Sequence, residues 1–246
     1  MMRTGIGLVA VFLIANPVFG QNNPEAVVKK AIEAHGGLPV LKKFPAGTTK
    51  FGGKLMNGGA EMAFSGSQVF AIPGKVRMEM TLVVNGQKSS LLQIVNGDKV
   101  RQTENGVVSK LDEPVLTELR GLAVSQEMSL LYPLLDTTKY TLIPEKDVPV
   151  GGQDAAVVIT RAKGLKDARL FFDKKTGLLV AMQRKGLSPN LKEVDEVTTF
   201  TDYKTIDGLV VPMKSKVTHN GKPFMEITVS EYKPMETVDE KSFAIP

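Results

Sequence analysis

The stretch Thr205-Ile206-Asp207-Gly208-Leu209-Val210-Val211-Pro212-Met213-Lys214-Ser215-Lys216-Val217-Thr218-His219-Asn220-Gly221 contains one whole strand and the turns at both of its ends. Asp-Gly and Asn-Gly are strong hairpin signals, because a type I′ turn needs positive φ at both central residues and Asn, Asp and Gly tolerate it best. Between the turns, Val211, Met213 and Val217 alternate with Lys214, Lys216 and Thr218, the two-residue period of a strand with one buried and one wet face. The same turn pairs recur upstream at Asn57-Gly58, Asn85-Gly86, Asn96-Gly97 and Asn105-Gly106. Val76, Met78, Met80 and Leu82 alternate there with Arg77, Glu79 and Thr81. The pattern predicts an antiparallel meander.

Outward from these hairpins, further strands are expected at 140–143, 155–160, 168–172, 178–183, 196–203 and 224–232, about eleven to twelve strands in all. A helix is expected over 24–35, with Asn23 as N-cap, Pro24 at its first position and Gly36-Gly37 as its stop. A short helical turn follows at 38–44. A second main helix is expected over 115–135 after Asp112-Glu113-Pro114, weakened by Gly121 and ended or kinked by Pro133. Nothing between residues 21 and 246 resembles a linker, so this span is read as one domain. A sheet of so many twisted strands cannot stay flat. With few helices available, it is expected to curl strongly or nearly close, its concave face covered by those helices.

The chain has 246 residues, 42% hydrophobic and 23% charged, with no Cys. That excludes a disulfide scaffold, a cysteine-ligated metal and a thiol nucleophile. The net charge of +5 is modest and its lysines and arginines are spread along the chain, so nucleic acid is not an expected partner. Residues 1–20 read as a signal peptide: a basic start at Arg3, an apolar run from Ile6 to Ala15, and small residues before a cleavage point after Gly20. An apolar run of about ten residues is only about 15 Å of helix, so a permanent anchor is the weaker reading. No lipid-accepting Cys follows. A secreted chain without cysteines points to a bacterial periplasm.

The chemistry-bearing residues are sparse. Of the two histidines, His35 is expected to cap a helix C-terminus, favoured by the helix dipole, and His219 to face solvent beside a hairpin. No nucleophile elbow, phosphate-binding glycine loop or metalloprotease motif is present. Asp195-Glu196 and Asp239-Glu240 are adjacent pairs, which point to opposite faces of a strand and read as solvated. No enzyme activity, cofactor or metal is therefore expected.

Met56, Met62, Met78, Met80, Met128, Met182, Met213 and Met225 are scattered through the expected strands and second helix. Met serves either as gap filler in an ordinary core or as the adaptable lining of a cavity. A curved sheet of about eleven strands encloses more volume than its own side chains fill, which favours the hollow reading. Alternation groups the inward candidates as Val76, Met78, Met80 and Leu82; Val180 and Met182; Val211 and Met213; and Met225, Ile227 and Val229. The covering helix contributes Leu116, Leu119, Ala123, Leu130 and Leu134. Parity decides which residues share a face, not which face is inside.

Three segments resemble the outer-membrane lipoprotein-sorting (LolA/LolB-like) superfamily: Phe171-Phe172-Asp173-Lys174-Lys175-Thr176-Gly177-Leu178-Leu179, the run Thr201-Asp202-Tyr203 through Asp207-Gly208 to Val211-Pro212, and Val238-Asp239-Glu240-Lys241-Ser242-Phe243-Ala244-Ile245-Pro246. The resemblance implies a mainly β (α+β) fold, an open, incomplete antiparallel β-barrel of about 11 strands with helices over a hydrophobic cavity. It also implies a periplasmic carrier that shields acyl chains of lipoproteins or lipids in outer-membrane biogenesis, working as a monomer with inner- or outer-membrane transport components. The alternative is an envelope sensor or scaffold of the same fold that binds a protein partner without lipid.

Overall fold

The computed structural model describes residues 23–57, 59–84 and 86–245; the signal segment 1–20 and its cleavage point lie outside the described residues. Helix α1 (Pro24–Ala34) starts where expected, the Asn23 side chain accepting from the amides of Glu25 and Ala26. It buries Val28, Ala31 and Ile32. A short α2 (Leu38–Lys43) follows. The loop between them needs glycine: at Gly36, with φ +115°, a Cβ would stand 2.2 Å from the Gly208 carbonyl oxygen.

Among the described residues thirteen strands form one antiparallel sheet. The first meander is β1 (Ala46–Asn57), β2 (Ala60–Ala71), β3 (Lys75–Val84), β4 (Gln87–Asn96), β5 (Lys99–Glu104) and β6 (Val107–Val108). The second is β7 (Tyr140–Val150), β8 (Gln153–Ala162), β9 (Ala168–Asp173), β10 (Leu179–Leu187), β11 (Glu193–Ile206), β12 (Leu209–His219) and β13 (Lys222–Met235). The strand beyond the sequence reading is the two-residue β6, too short for any period to show.

Three of the expected turns, Asn105-Gly106, Asp207-Gly208 and Asn220-Gly221, have positive φ at both residues, as a type I′ turn demands. Two others are displaced by one residue. Asn57 pairs with Ala60 and Asn96 with Lys99, so each Asn closes the strand; the second turn is Gly97-Asp98, with only Gly97 at positive φ.

The last strand pairs with the first, which leaves β6 and β7 as the two edges of the sheet, and these are consecutive in the chain. In a flat sheet twelve strand spacings would separate them by about 58 Å. The connection contains α3 (Glu113–Ser129), 17 residues and so about 25 Å long. Leu119 and Ala123 of α3 pack with Val95, Val76 and Val100 on the first meander. Glu118 bonds Arg184 on β10, and Met128 joins Leu170 and Phe172 on the second. One helix touching both halves requires the sheet to curl around it. The result is an open, incomplete barrel with α3 across its concave face.

Helix α3 is capped by Asp112, whose carboxylate accepts from the Val115 amide. It stops at Ser129 and does not continue to 135, because Leu131 takes φ +63° and Pro133 lies in a separate 3-10 turn, Tyr132–Leu135.

The concave face is filled unevenly. Over β7 to β10 it is plugged by α1, α2 and the 3-10 turn: Val28, Ile32, Leu134 and Tyr140 pack with Val158, Leu170 and Phe172. The opposite face of the same strands holds a smaller cluster, Ala155, Val157, Phe171 and Ala181, with Val148, Val150 and Val180 against it. The plugged cluster includes no residue of β1 to β4, and it reaches β11 to β13 only through Leu209, with Phe200, Val211 and Tyr232 packed against it. Among the described residues no helix is long and apolar enough to cross a membrane.

Candidate functional site

The unplugged half of the concave face and α3 enclose a trough. Its inner part, about 350 Å³, is lined by residues including His35, Phe51, Phe64, Tyr203, Val229 and Tyr232. The outer part, about 790 Å³, is lined by residues including Leu82, Leu119, Leu122, Leu191 and Phe224. Met78, Met80, Gln126, Ser129, Phe200, Met225 and Ile227 border both, so the two parts adjoin. From Phe224 to Tyr232, β13 runs its length, about 26 Å at about 3.3 Å per residue. Gln68 on β2 donates to Gln126 on α3 (3.3 Å), a polar tie where the two parts meet.

The floor is shaped by two reciprocal pairs on β1 and β2. Phe51 is registered against Gly66 and Phe64 against Gly53. A Cβ on Gly66 would stand 2.9 Å from the Phe51 ring, and one on Gly53 would stand 2.9 Å from the Phe64 ring. Glycine lets both rings lie down on the sheet instead of standing into the trough, and they meet edge to face at 6.2 Å.

The inner end is closed by His35, which is 5% exposed. Its Nδ1 lies 2.8 Å from the Ala31 carbonyl, so the Nδ1–H form donates there, and its ring meets Tyr203 edge to face at 5.9 Å. His35 does cap the helix, but not as a cation held by the dipole. Burial lowers its pKa, with the bond to Ala31 opposing, which favours the neutral ring. The Tyr203 hydroxyl donates to the Leu179 carbonyl, and burial raises its pKa.

One wall is charged. Arg184, with 10% of its side chain exposed, donates to Glu118 of α3 (2.5 Å) and Glu196 of β11 (2.8 Å). Burial works against its charge, and the two carboxylates outweigh that, holding its pKa above the ordinary value. His219 stacks on Phe224 at 3.7 Å and places Nε2 3.1 Å from Glu196. Both histidine and carboxylate therefore depart from the solvated positions that the sequence suggests. Alternation does separate Asp195 from Glu196: Asp195 pairs outward with Lys185, and Glu196 faces the trough.

Of the candidates from alternation, Met78, Met80, Met225 and Ile227 border both parts of the trough; Leu130, Val211 and Val229 border the inner one; Leu82, Leu119 and Met182 border the outer one. Val76 and Ala123 are in the small cluster under α3, and Leu134 is in the main core. Leu116 and Met213 border neither part, though Met213 is buried. Val180 is on the wrong face. A β-bulge between Leu179 and Ala181 adds one residue, so Val180 packs against the outer cluster while Met182 turns inward. The lining that alternation missed is aromatic: Phe51, Phe64, Phe200, Tyr203, Phe224 and Tyr232. Gly53 and Gly66 inside strands were the available sign, since strand glycine marks close approach. Among the described residues no cluster of three or more His, Asp or Glu could hold a metal.

A curled open sheet with a helix across its concave face over a trough is a fold shared with solved structures, one of them a LolA superfamily protein. A solved domain assigned to outer membrane lipoprotein sorting from Vibrio parahaemolyticus matches it with a TM-score of 0.55 at 12% identity, over 91% of this chain and 97% of that one. A DUF1329 family protein from Desulfovibrio piger matches with a TM-score of 0.57 at 13% identity, over 90% and 97%. A LolA superfamily protein from Nitrosomonas europaea matches with a TM-score of 0.52 at 10% identity, over 90% and 97%. No family profile and no curated protein matches the sequence.

Proposed function

We propose that this protein is a periplasmic carrier, without catalytic activity, that shields the acyl chains of lipoproteins or lipids in the trough beneath α3. The observation that supports the reading is the pair of adjoining apolar spaces that share Met78, Met80, Phe200, Met225 and Ile227 as lining. A 16-carbon chain, at about 1.25 Å per carbon projected from a bond of about 1.5 Å, is about 19 Å long. It is shorter than the run of β13 beside the trough. Burying its methylenes is worth about 12 kcal/mol at about 0.8 kcal/mol each, an upper bound. A carrier must also release its cargo, and a lining of flexible Met side chains favours adaptable contact over a tight fit.

The test has two arms. Native mass spectrometry of the mature protein from bacterial envelopes should show lipid-sized adducts. A fluorescent C16 fatty acid should bind, with uptake reduced at least tenfold in Ile227→Asp, which places a carboxylate in the trough. No adduct and no uptake by the unaltered protein would sink the reading.

A further inference from the structure

The end of the trough ringed by hairpin tips combines exposed apolar side chains with exposed lysines. Among the described residues the exposed large hydrophobics are Val83, Val107, Val108, Leu122 and Leu191. Val83 is at the tip of β3, Val107 and Val108 follow the β5–β6 turn, and Leu191 is in the loop between β10 and β11. Leu122 and Leu191 border the outer part of the trough. All five are at or beside its mouth, and none is at the end closed by α1.

Of the connections at this end, 105–106, 188–192 and 220–221 contain no carboxylate, while 163–167 holds Asp167, which is paired with Arg161. Lys88, Lys192 and Lys222 are exposed at the mouth, and none is ion-paired among the described residues. Lys88 is the register partner of Val83, and Lys192 follows Leu191. Each of these two exposed apolar side chains thus has an unpaired ammonium beside it.

We propose that this rim is a docking face for an anionic lipid bilayer, with Val83, Leu191 and their neighbours entering the interface and the lysines meeting phosphate headgroups. A protein-binding patch would be contiguous, rich in aromatics and poor in lysine. Here the apolar groups are aliphatic, stand on separate projections and alternate with lysine, which suits a fluid surface. In purpose the proposal rests on the carrier reading, since it brings the mouth of the trough to the membrane.

The mature chain should float with vesicles of phosphatidylethanolamine containing phosphatidylglycerol and not with phosphatidylcholine vesicles. Each lysine at such a surface is worth about fivefold in partitioning, so K88E/K192E/K222E should lose about a hundredfold or more. Val83→Asp should also weaken flotation. The triple variant should keep its fatty-acid uptake in vesicle-free solution, because none of the three lysines borders the trough. Equal binding to both vesicle types, no binding to either, or undiminished flotation of the triple variant overturns the docking face. If the protein takes up fatty acid yet never floats, docking fails alone; a defined protein complex abolished by the same changes would then assign the rim to a protein. If it floats but takes up no fatty acid, the carrier reading fails and the docking face stands.

Discussion

Replacing Arg184 by Met tests whether the charged wall of the trough depends on one guanidinium. Arg184 is the common partner of Glu118, 17% exposed on α3, and Glu196, 14% exposed on β11. Met keeps much of the stem and removes the charge, leaving Glu118 unpartnered and Glu196 with only His219. Removing one member of a buried ion pair costs about 3–5 kcal/mol, because the stranded charge has already lost its water. At about 2–4 °C per kcal/mol for a domain of this size, the midpoint should fall by about 6–20 °C. Urea and thermal unfolding followed by far-UV circular dichroism measure this directly. The triple variant E118Q/R184M/E196Q leaves no stranded charge and should regain most of the loss. The bond to Glu118 is one of the ties holding α3 down, so amide exchange across 113–129 should rise in Arg184→Met more than in the triple variant. A loss under about 1 kcal/mol, or a triple variant no better than the single, would show that the cluster is solvated and refute the reasoning.

Acid should destabilise the protein through His35. Its folded pKa is lowered, so the unfolded chain takes up the proton first; the contribution is complete above the ordinary value of 6.5 and drains as pH falls below it. His35→Gln should flatten the stability profile just below pH 6.5, and an unchanged profile would contradict the burial argument. Gly66→Ala should cost about 1–3 kcal/mol by overpacking, since its Cβ would stand 2.3 Å from the Glu79 carbonyl oxygen and 2.9 Å from the Phe51 ring, measurable as a shift in urea midpoint. Asp112→Ala should cost about 1 kcal/mol by uncapping α3, and Asp112→Asn should restore most of it in the same assay.

Local chemistry made the secondary structure legible from residues alone. Asn105-Gly106, Asp207-Gly208 and Asn220-Gly221 announce their turns because positive φ is a property of two residues, and Asn23 with Pro24 announces a helix start because the cap lies within three residues. The two-residue period placed Met78 and Met80 together on the face that borders the trough for the same reason. Alternation holds only while register is unbroken, and the bulge before Ala181 turned Val180 away without a mark in the sequence.

What the sequence by itself determined is therefore an antiparallel meander with an opening helix and a second helix near its middle. Which half of the concave face is filled was decided only when α1 packed beneath β7 to β10. The charged wall belongs to the same category: Glu118 and Arg184 are 66 residues apart, and Glu196 looks like any surface acid until curvature brings α3, β10 and β11 together. Burial and cavity volume are properties of how distant segments share space, and no local pattern encodes them.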